Sequence, residues 1–298
     1  MDLDKYQEFA LSTAQFDITT EQARTICLLG LSGEVGELTT EFKKKLRDGD
    51  GYHFYRNKVT EELGDILWYL AVISSIEKTS LNEIAAINLD KVRERWEETS
   101  LRKSTPDSLS FDFCRPDGEK LPRQFHLEFF ESKNDETGKS FINVKLDGEA
   151  FGNPLRDNSY GEDYYRYHDV FHFAYAVVLG WSPVVRKLLK CKRVTDQVID
   201  EVEDGGRAWV IDEAISALVF EHAKKHGFYE NVETVEFSIL KLIKDLTGHL
   251  EVKVRTYKQW EESILLGFKV WRELREHRVG TVFCDLDARD MSFTACNR

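Results

Sequence analysis

The chain has 298 residues, 42% of them hydrophobic and 32% charged, enough apolar material for a sizeable core and too much for wholesale disorder. Its 41 Lys and Arg against 53 Asp and Glu leave a formal charge of −12, which argues against nucleic acid and anionic membranes as partners, because phosphate backbones need a positive face. A phosphate-bearing substrate stays open, since a bound divalent cation reverses the local sign. Five cysteines (Cys27, Cys114, Cys191, Cys284 and Cys296) form no C-x-x-C pair. Neither a disulfide framework nor a zinc ribbon is expected, and a reducing, cytoplasmic setting is. The opening MDLDKYQEFALS lacks a basic stretch followed by an apolar one, so no signal peptide is expected there. No apolar run approaches the roughly 20 residues of a membrane span.

In chain order, a short helix is expected near residues 4–16. Leu28, Leu31, Val35, Leu38, Phe42 and Leu46 then recur at spacings of three and four, which predicts a helix with one buried stripe, ended by Asp48-Gly-Asp-Gly51. Val59, Leu63, Ile66, Leu70 and Ile73 predict a second. Ser80-Leu-Asn-Glu83 reads as a capping box, opening a third stripe of Ala85, Leu89, Val92 and Trp96. Together these make a four-helix unit over residues 1–103.

The acids of this unit are patterned. At about 100° per residue, Glu34, Glu37 and Glu41 fall on one rim of the first stripe, within roughly 60° of each other. Glu62, Asp65 and Tyr69 fall on the same-handed rim of the second. If the two helices pack antiparallel, the rims meet, and the midpoint of the two acid pairs lies inside the Asp48–Gly51 turn, so the four carboxylates share one height. Side by side they repel unless protonated or bridged by cations. Mg²⁺ suits such an oxygen-rich site, with Mn²⁺ as the alternative ion. A single Glu would be read as part of a solvated face; the matched pairs argue otherwise.

Gly30-Leu-Ser-Gly-Glu-Val-Gly-Glu-Leu38, Glu61-Glu-Leu-Gly-Asp-Ile-Leu-Trp-Tyr-Leu70 and Asn88-Leu-Asp-Lys-Val-Arg93 resemble the MazG-like all-α nucleoside triphosphate pyrophosphohydrolases, whose pattern is E-x-x-E, a gap, then E-x-x-D. The resemblance covers roughly residues 20–98. It implies hydrolysis of a nucleoside triphosphate to monophosphate and pyrophosphate. It implies Glu34, Glu37, Glu62 and Asp65 as metal ligands, and Tyr69, Asn88 and Lys91 as substrate contacts. Arg95 shares the rim of Asn88 and Lys91 and joins them as a candidate, although an exposed ion-pair face would look the same. Glu37 or Glu61 would take the proton from the attacking water. A homo-oligomer, dimer or tetramer, is also implied. The competing class is a nucleotide sensor or partner-binding module in which the acidic site binds without turnover.

Three prolines between 106 and 122 interrupt the helical pattern, so residues 104–122 read as a linker. Residues 123–298 read as an α-rich domain of unassigned role with a small β component. Arg123–Glu131 and Lys139–Leu146 alternate and predict a β-hairpin, and TVFCDLDARDMSFT predicts a terminal one. Helices are predicted from Gly161 to Gly180, Ala208 to His226, Glu233 to Leu246 and Tyr257 to His277. Within the first of these, His168-Asp169-x-x-His172 puts two imidazoles on one helical face, similar to the zinc-binding H-E-x-x-H pattern. Glu201, Glu203, Asp204 or Glu213 would have to supply a third ligand. A satisfied core His–Asp cluster is the plainer explanation. Arg186–Arg193, with five basic residues in eight, reads as a solvated helix face or as a patch for phosphate, RNA or a partner's acidic face. The fold class is therefore mainly α, a four-helix unit followed by an α-rich domain with a hairpin component.

Overall fold

The computed structural model describes residues 1–96, 110–135 and 137–296. They form two compact units, Met1–Arg93 and a second beginning at Glu94. The class is mainly α with one small sheet. No helix among the described residues is long and apolar enough to cross a membrane.

The first unit is helical. Helix α1 (Leu3–Ser12) starts where the Asp2 carboxylate accepts from the Lys5 amide at 2.8 Å. Helix α2 (Glu21–Asp48) starts at Thr20, whose hydroxyl accepts from the Ala23 amide. It ends at Gly49, where φ is +58° and a side chain would be strained. A single 3₁₀ turn, Gly49–Gly51, reverses the chain into α3 (Tyr55–Ile76). Helix α4 (Leu81–Trp96) opens at half of the expected capping box: Ser80 Oγ accepts from the Glu83 amide at 3.0 Å, while the Glu83 carboxylate accepts from Thr79. Its start is anchored on α1, where the Gln7 side chain bonds the Leu81 amide at 2.8 Å and Asp4 bonds Asn82 at 2.7 Å.

The face that α2 buries differs from the predicted one. Its inner side carries Ala23, Cys27, Gly30, Glu34 and Glu41, whereas Leu28 is 52% and Leu46 86% exposed, with Val35 and Phe42 also open. Helix α2 has two apolar sides about a quarter-turn apart, and the side with small residues lets α3 approach closely. The Leu-rich side is left uncovered. The buried apolar centre of this unit is correspondingly small: Ala10, Ala71 and Leu81, flanked by Leu3, Tyr6 and Trp68.

The second unit holds the large core. Strands β1 (Gln124–Lys133), β2 (Ser140–Leu146), β3 (Glu149–Leu155), β4 (Gly280–Asp285) and β5 (Asp290–Ala295) form one antiparallel sheet in the order β3-β2-β1-β4-β5. The two predicted hairpins thus join along β1 and β4, with Leu127 opposite Val282. Strand β3 escaped the sequence reading because Gly152 and Pro154 interrupt it, as an edge strand with a neighbouring bulge tolerates.

Between β3 and β4 run helices α5 (Asp169–Leu179), α6 (Pro183–Leu188), α7 (Gln197–Val202), α8 (Gly206–Lys224), α9 (Phe237–Thr247) and α10 (Tyr257–His277). Every residue of α5 is buried. It packs on α10, where a Cβ at Gly267 would lie 3.0 Å from the Phe171 ring. The helix predicted from Gly161 begins only at Asp169, because Tyr164 adopts φ +66° and a 3₁₀ turn follows.

Two further expectations meet a different structure. Residues 104–109 of the expected linker lie outside the described residues. Residues 110–121 pack into the second unit, with Asp112, Glu119 and Leu121 buried. The basic run is neither solvated face nor open patch at its ends. Arg186 and Arg193 are each 1% exposed. Arg186 pairs with Asp112 at 2.8 Å. Arg193 pairs with Asp204 and with Glu251, both at 2.7 Å. Periodicity could not reveal this, because the partners are supplied by distant segments.

Candidate active site

The α2–α3 hairpin brings three of the four patterned acids together, while Glu37 is exposed on α2 and lies outside the group. One carboxylate oxygen from each of Glu34, Glu62 and Asp65 lies within 4.8 Å of the other two. None of these acids, nor Glu37, has an ion-pair partner among the described residues. Burial, followed by the charges of Asp65 and Glu37, pushes the Glu34 carboxyl above its ordinary value. Burial, then Glu37, Glu34, Glu61 and Asp65, does the same to Glu62. The inner face of the hairpin therefore concentrates like charges that no ion pair among the described residues takes up.

Tyr69 sits beside these acids. Burial and then Glu34 raise its phenol's pKa. Its ring lies against α2 at Gly30, where an added Cβ would come 2.3 Å from Cζ. Gly30 is thus the gap into which Tyr69 fits. Tyr6 of α1 borders the same site, its pKa raised by burial and then by Asp65. The sequence carried no signal for Tyr6, since only the packing of α1 on α3 delivers it.

The remaining candidates are placed differently. Glu41, grouped with Glu34 and Glu37 by helical angle, is buried but paired with Lys44 at 2.6 Å and bonded by the Tyr52 hydroxyl. Glu61 pairs with Lys58 at 2.6 Å at the surface. Asn88 and Lys91 are exposed on α4, without a hydrogen-bond or ion-pair partner among the described residues. Arg95 belongs to the second unit, where its guanidinium lies over Phe237 and donates to the Val235 carbonyl at 3.3 Å.

A second cluster lies in the second unit. His168, at the N-terminal end of α5, and His172, one turn on, meet Glu213 of α8, with one donor atom of each within 4.8 Å of the others. His172 Nδ1 is 2.7 Å from Asp212. Asp212 also accepts from the Ser182 hydroxyl at 2.5 Å. Burial disfavours a charged His172, but Asp212 and then Glu213 outweigh it and push the imidazole up to about 10. Burial likewise opposes the Glu213 charge, yet His172 holds that carboxyl below its ordinary value. Asp212 had a signal that was missed. It occupies a core position of the stripe Ala208, Asp212, Ile215, Val219, where an acid requires buried partners.

The first unit thus presents an oxygen-donor cluster of the kind that suits a hard divalent cation. The chain belongs to the MazG family: residues 106–297 match the MazG C-terminal domain and residues 22–99 match the MazG nucleotide pyrophosphohydrolase domain. It is also similar to the Gene 37 protein of Mycobacterium phage L5, with 34% identity over 101 residues that span 32% of this chain and 89% of that protein. No solved structure matches.

Proposed function

We propose that the protein is a Mg²⁺-dependent nucleoside triphosphate pyrophosphohydrolase, which cuts the anhydride between the α and β phosphates and releases a nucleoside monophosphate and pyrophosphate. The observation that carries this reading is the convergence of Glu34, Glu62 and Asp65, with Glu37 alongside, none of them in an ion pair with a cationic side chain among the described residues. The donor set is all carboxylate, which fits Mg²⁺ or Mn²⁺ rather than a softer metal. Glu34, Glu37, Glu62 and Asp65 would hold it. Bound there, it supplies a water of lowered pKa and offsets charge on the polyphosphate.

The chain's own residues do the rest. Glu37 is the proposed base, because Glu61 is committed to Lys58. Tyr69, wedged against Gly30, orients the substrate beside the acids. Asn88 and Lys91 are proposed phosphate contacts, since neither side chain has a hydrogen-bond or ion-pair partner among the described residues. Arg95 is not carried into the proposed site, because its guanidinium lies over Phe237 within the second unit. The exposed Leu28, Val35, Phe42 and Leu46 side of α2 supports a dimer or tetramer, since contiguous apolar surface of this kind marks an interface. All five cysteines are free, in keeping with a cytoplasmic setting.

The test is a panel of NTPs and dNTPs with Mg²⁺, reading pyrophosphate and the monophosphate product. Release from at least one nucleotide, lost on chelation, is expected. A folded protein that binds nucleotide tightly but releases no pyrophosphate would instead be a sensor.

A further inference from the structure

We infer that His168, His172 and Glu213 form a second metal centre, distinct in chemistry from the acidic cluster and built for a divalent transition metal of the Zn²⁺ class. Three independent features point to a ligand. The first is an unused buried donor. His172 is fully buried, and its Nε2 makes no hydrogen bond among the described residues: Glu213 Oε2 lies 3.3 Å away but off the ring's N–H direction. A buried imidazole nitrogen left without a hydrogen bond, facing a carboxylate and a second imidazole, is what a metal ligand leaves behind when the ion is taken away.

The second feature is orientation from behind. His172 Nδ1 is held by Asp212 at 2.7 Å, and His168 Nδ1 by the Tyr165 carbonyl at 2.9 Å. Each contact favours a proton on Nδ1 and turns the Nε2 lone pair inward, the outer-shell arrangement that fixes metal-binding histidines. The Tyr165 ring stacks on His168 with centroids 4.4 Å apart and planes 4° from parallel, which holds the imidazole in place. Asp212 is itself anchored by Ser182 and the Val184 amide.

The third feature is donor type and access. Two imidazole nitrogens and one carboxylate select a borderline transition metal over Mg²⁺. Ligands about 2.1 Å from a tetrahedral ion sit roughly 3.4 Å apart, so donors within 4.8 Å of one another need only small side-chain rotations to close. Asp169, 3.5 Å from His168 Nε2, offers a further oxygen. The Glu213 side chain is 37% exposed, so the site opens to solvent on one side, and coordination positions remain for water or an anionic ligand.

The test uses the full chain in millimolar Mg²⁺, so that the acidic cluster is filled, and titrates Co²⁺ and then Zn²⁺. Expected are the visible absorption bands of Co²⁺ bound at one equivalent per chain, displacement by Zn²⁺, and metal recovered with the protein as isolated. His168→Gln and Glu213→Gln, at the more accessible ligands, should each weaken binding by more than about tenfold. Glu34→Gln should leave Co²⁺ binding unchanged, which separates this site from the proposed catalytic one. His172→Gln is the less informative variant, because its full burial puts folding at risk. A folded protein that binds neither metal would overturn the inference, as would binding that survives both His168→Gln and Glu213→Gln. The cluster would then be an ion-paired core, with protonated His172 held between Asp212 and Glu213.

Discussion

Glu62 shows how a proposed metal-ligand position can work against stability. It is a buried carboxyl whose neighbours within the site are other acids, so in the metal-free protein its charge is opposed by burial and by repulsion. Glu62→Gln should therefore raise the melting temperature of the metal-free protein by roughly 1–3 °C while lowering pyrophosphate release by about 100-fold or more. Calorimetry and a turnover assay on one preparation check both. A parallel loss of stability and activity would mean that Glu62 serves folding. Asp65→Asn should cost turnover in the same way with the fold intact. Gly30 is the counterpart on the packing side. Ala there must push Tyr69 aside, since its Cβ would lie within 2.4 Å of two ring carbons and the phenol oxygen. The expected cost is about 1–3 kcal/mol by urea denaturation, together with lost turnover. A Gly30→Ala protein of unchanged stability would show that the ring has somewhere else to go.

At the scale of elements, the second unit is pinned by buried ion pairs between segments far apart in sequence. The loop at Asp112 meets α6 through Arg186, and Arg193 ties Asp204, after α7, to Glu251. Removing one partner strands the other charge. Arg193→Met should cost about 3–5 kcal/mol, although both partners replaced together by apolar residues could cost little. The same wiring predicts acid sensitivity. Burial alone would raise the Asp112 carboxyl, but the Ser110 hydroxyl and Arg186 outweigh it and hold its pKa below the ordinary value. A carboxyl depressed in the folded state contributes stability that is fully present above its unfolded pKa of about 3.9 and is lost as pH falls through the folded value. Asp112→Asn should therefore destabilise at pH 7 and flatten the decline in stability below about pH 4, read from urea midpoints across pH. Such pairing is invisible to periodicity, which reports which face of a helix is apolar and not which distant residue will meet it. Arg186 and Arg193 look like any solvated basic run until the Asp112 loop, Asp204 and Glu251 are in place.

For the molecule as a whole, the two units differ in how complete they are. The second encloses an aromatic-rich core between sheet and helices. The first buries little apolar surface within one chain and leaves Leu28, Leu29, Val35, Phe42 and Leu46 open on α2. Burial of such side chains is worth about 25 cal/mol per Å², so an uncovered stripe favours association. For the proposed oligomer, Leu28→Glu combined with Leu46→Glu is expected to give a monomer by light scattering. If the variant's mass equals that of the parent, this face is not the interface.

The acidic pairs, the turn between their helices and the MazG resemblance were all readable from residue order. They depend on local spacing, and a helix converts spacing into direction without help from the rest of the chain. Tertiary structure decided what spacing cannot express. It chose the small-residue side of α2 over the leucine side, because only that side lets Tyr69 close on Gly30. It sorted Glu41 and Glu61 into ion pairs while leaving Glu34, Glu62 and Asp65 converging. It also brought Asp212 and Glu213 to His172 across 40 residues, a proximity set by how α5 and α8 pack and by no pattern within either helix.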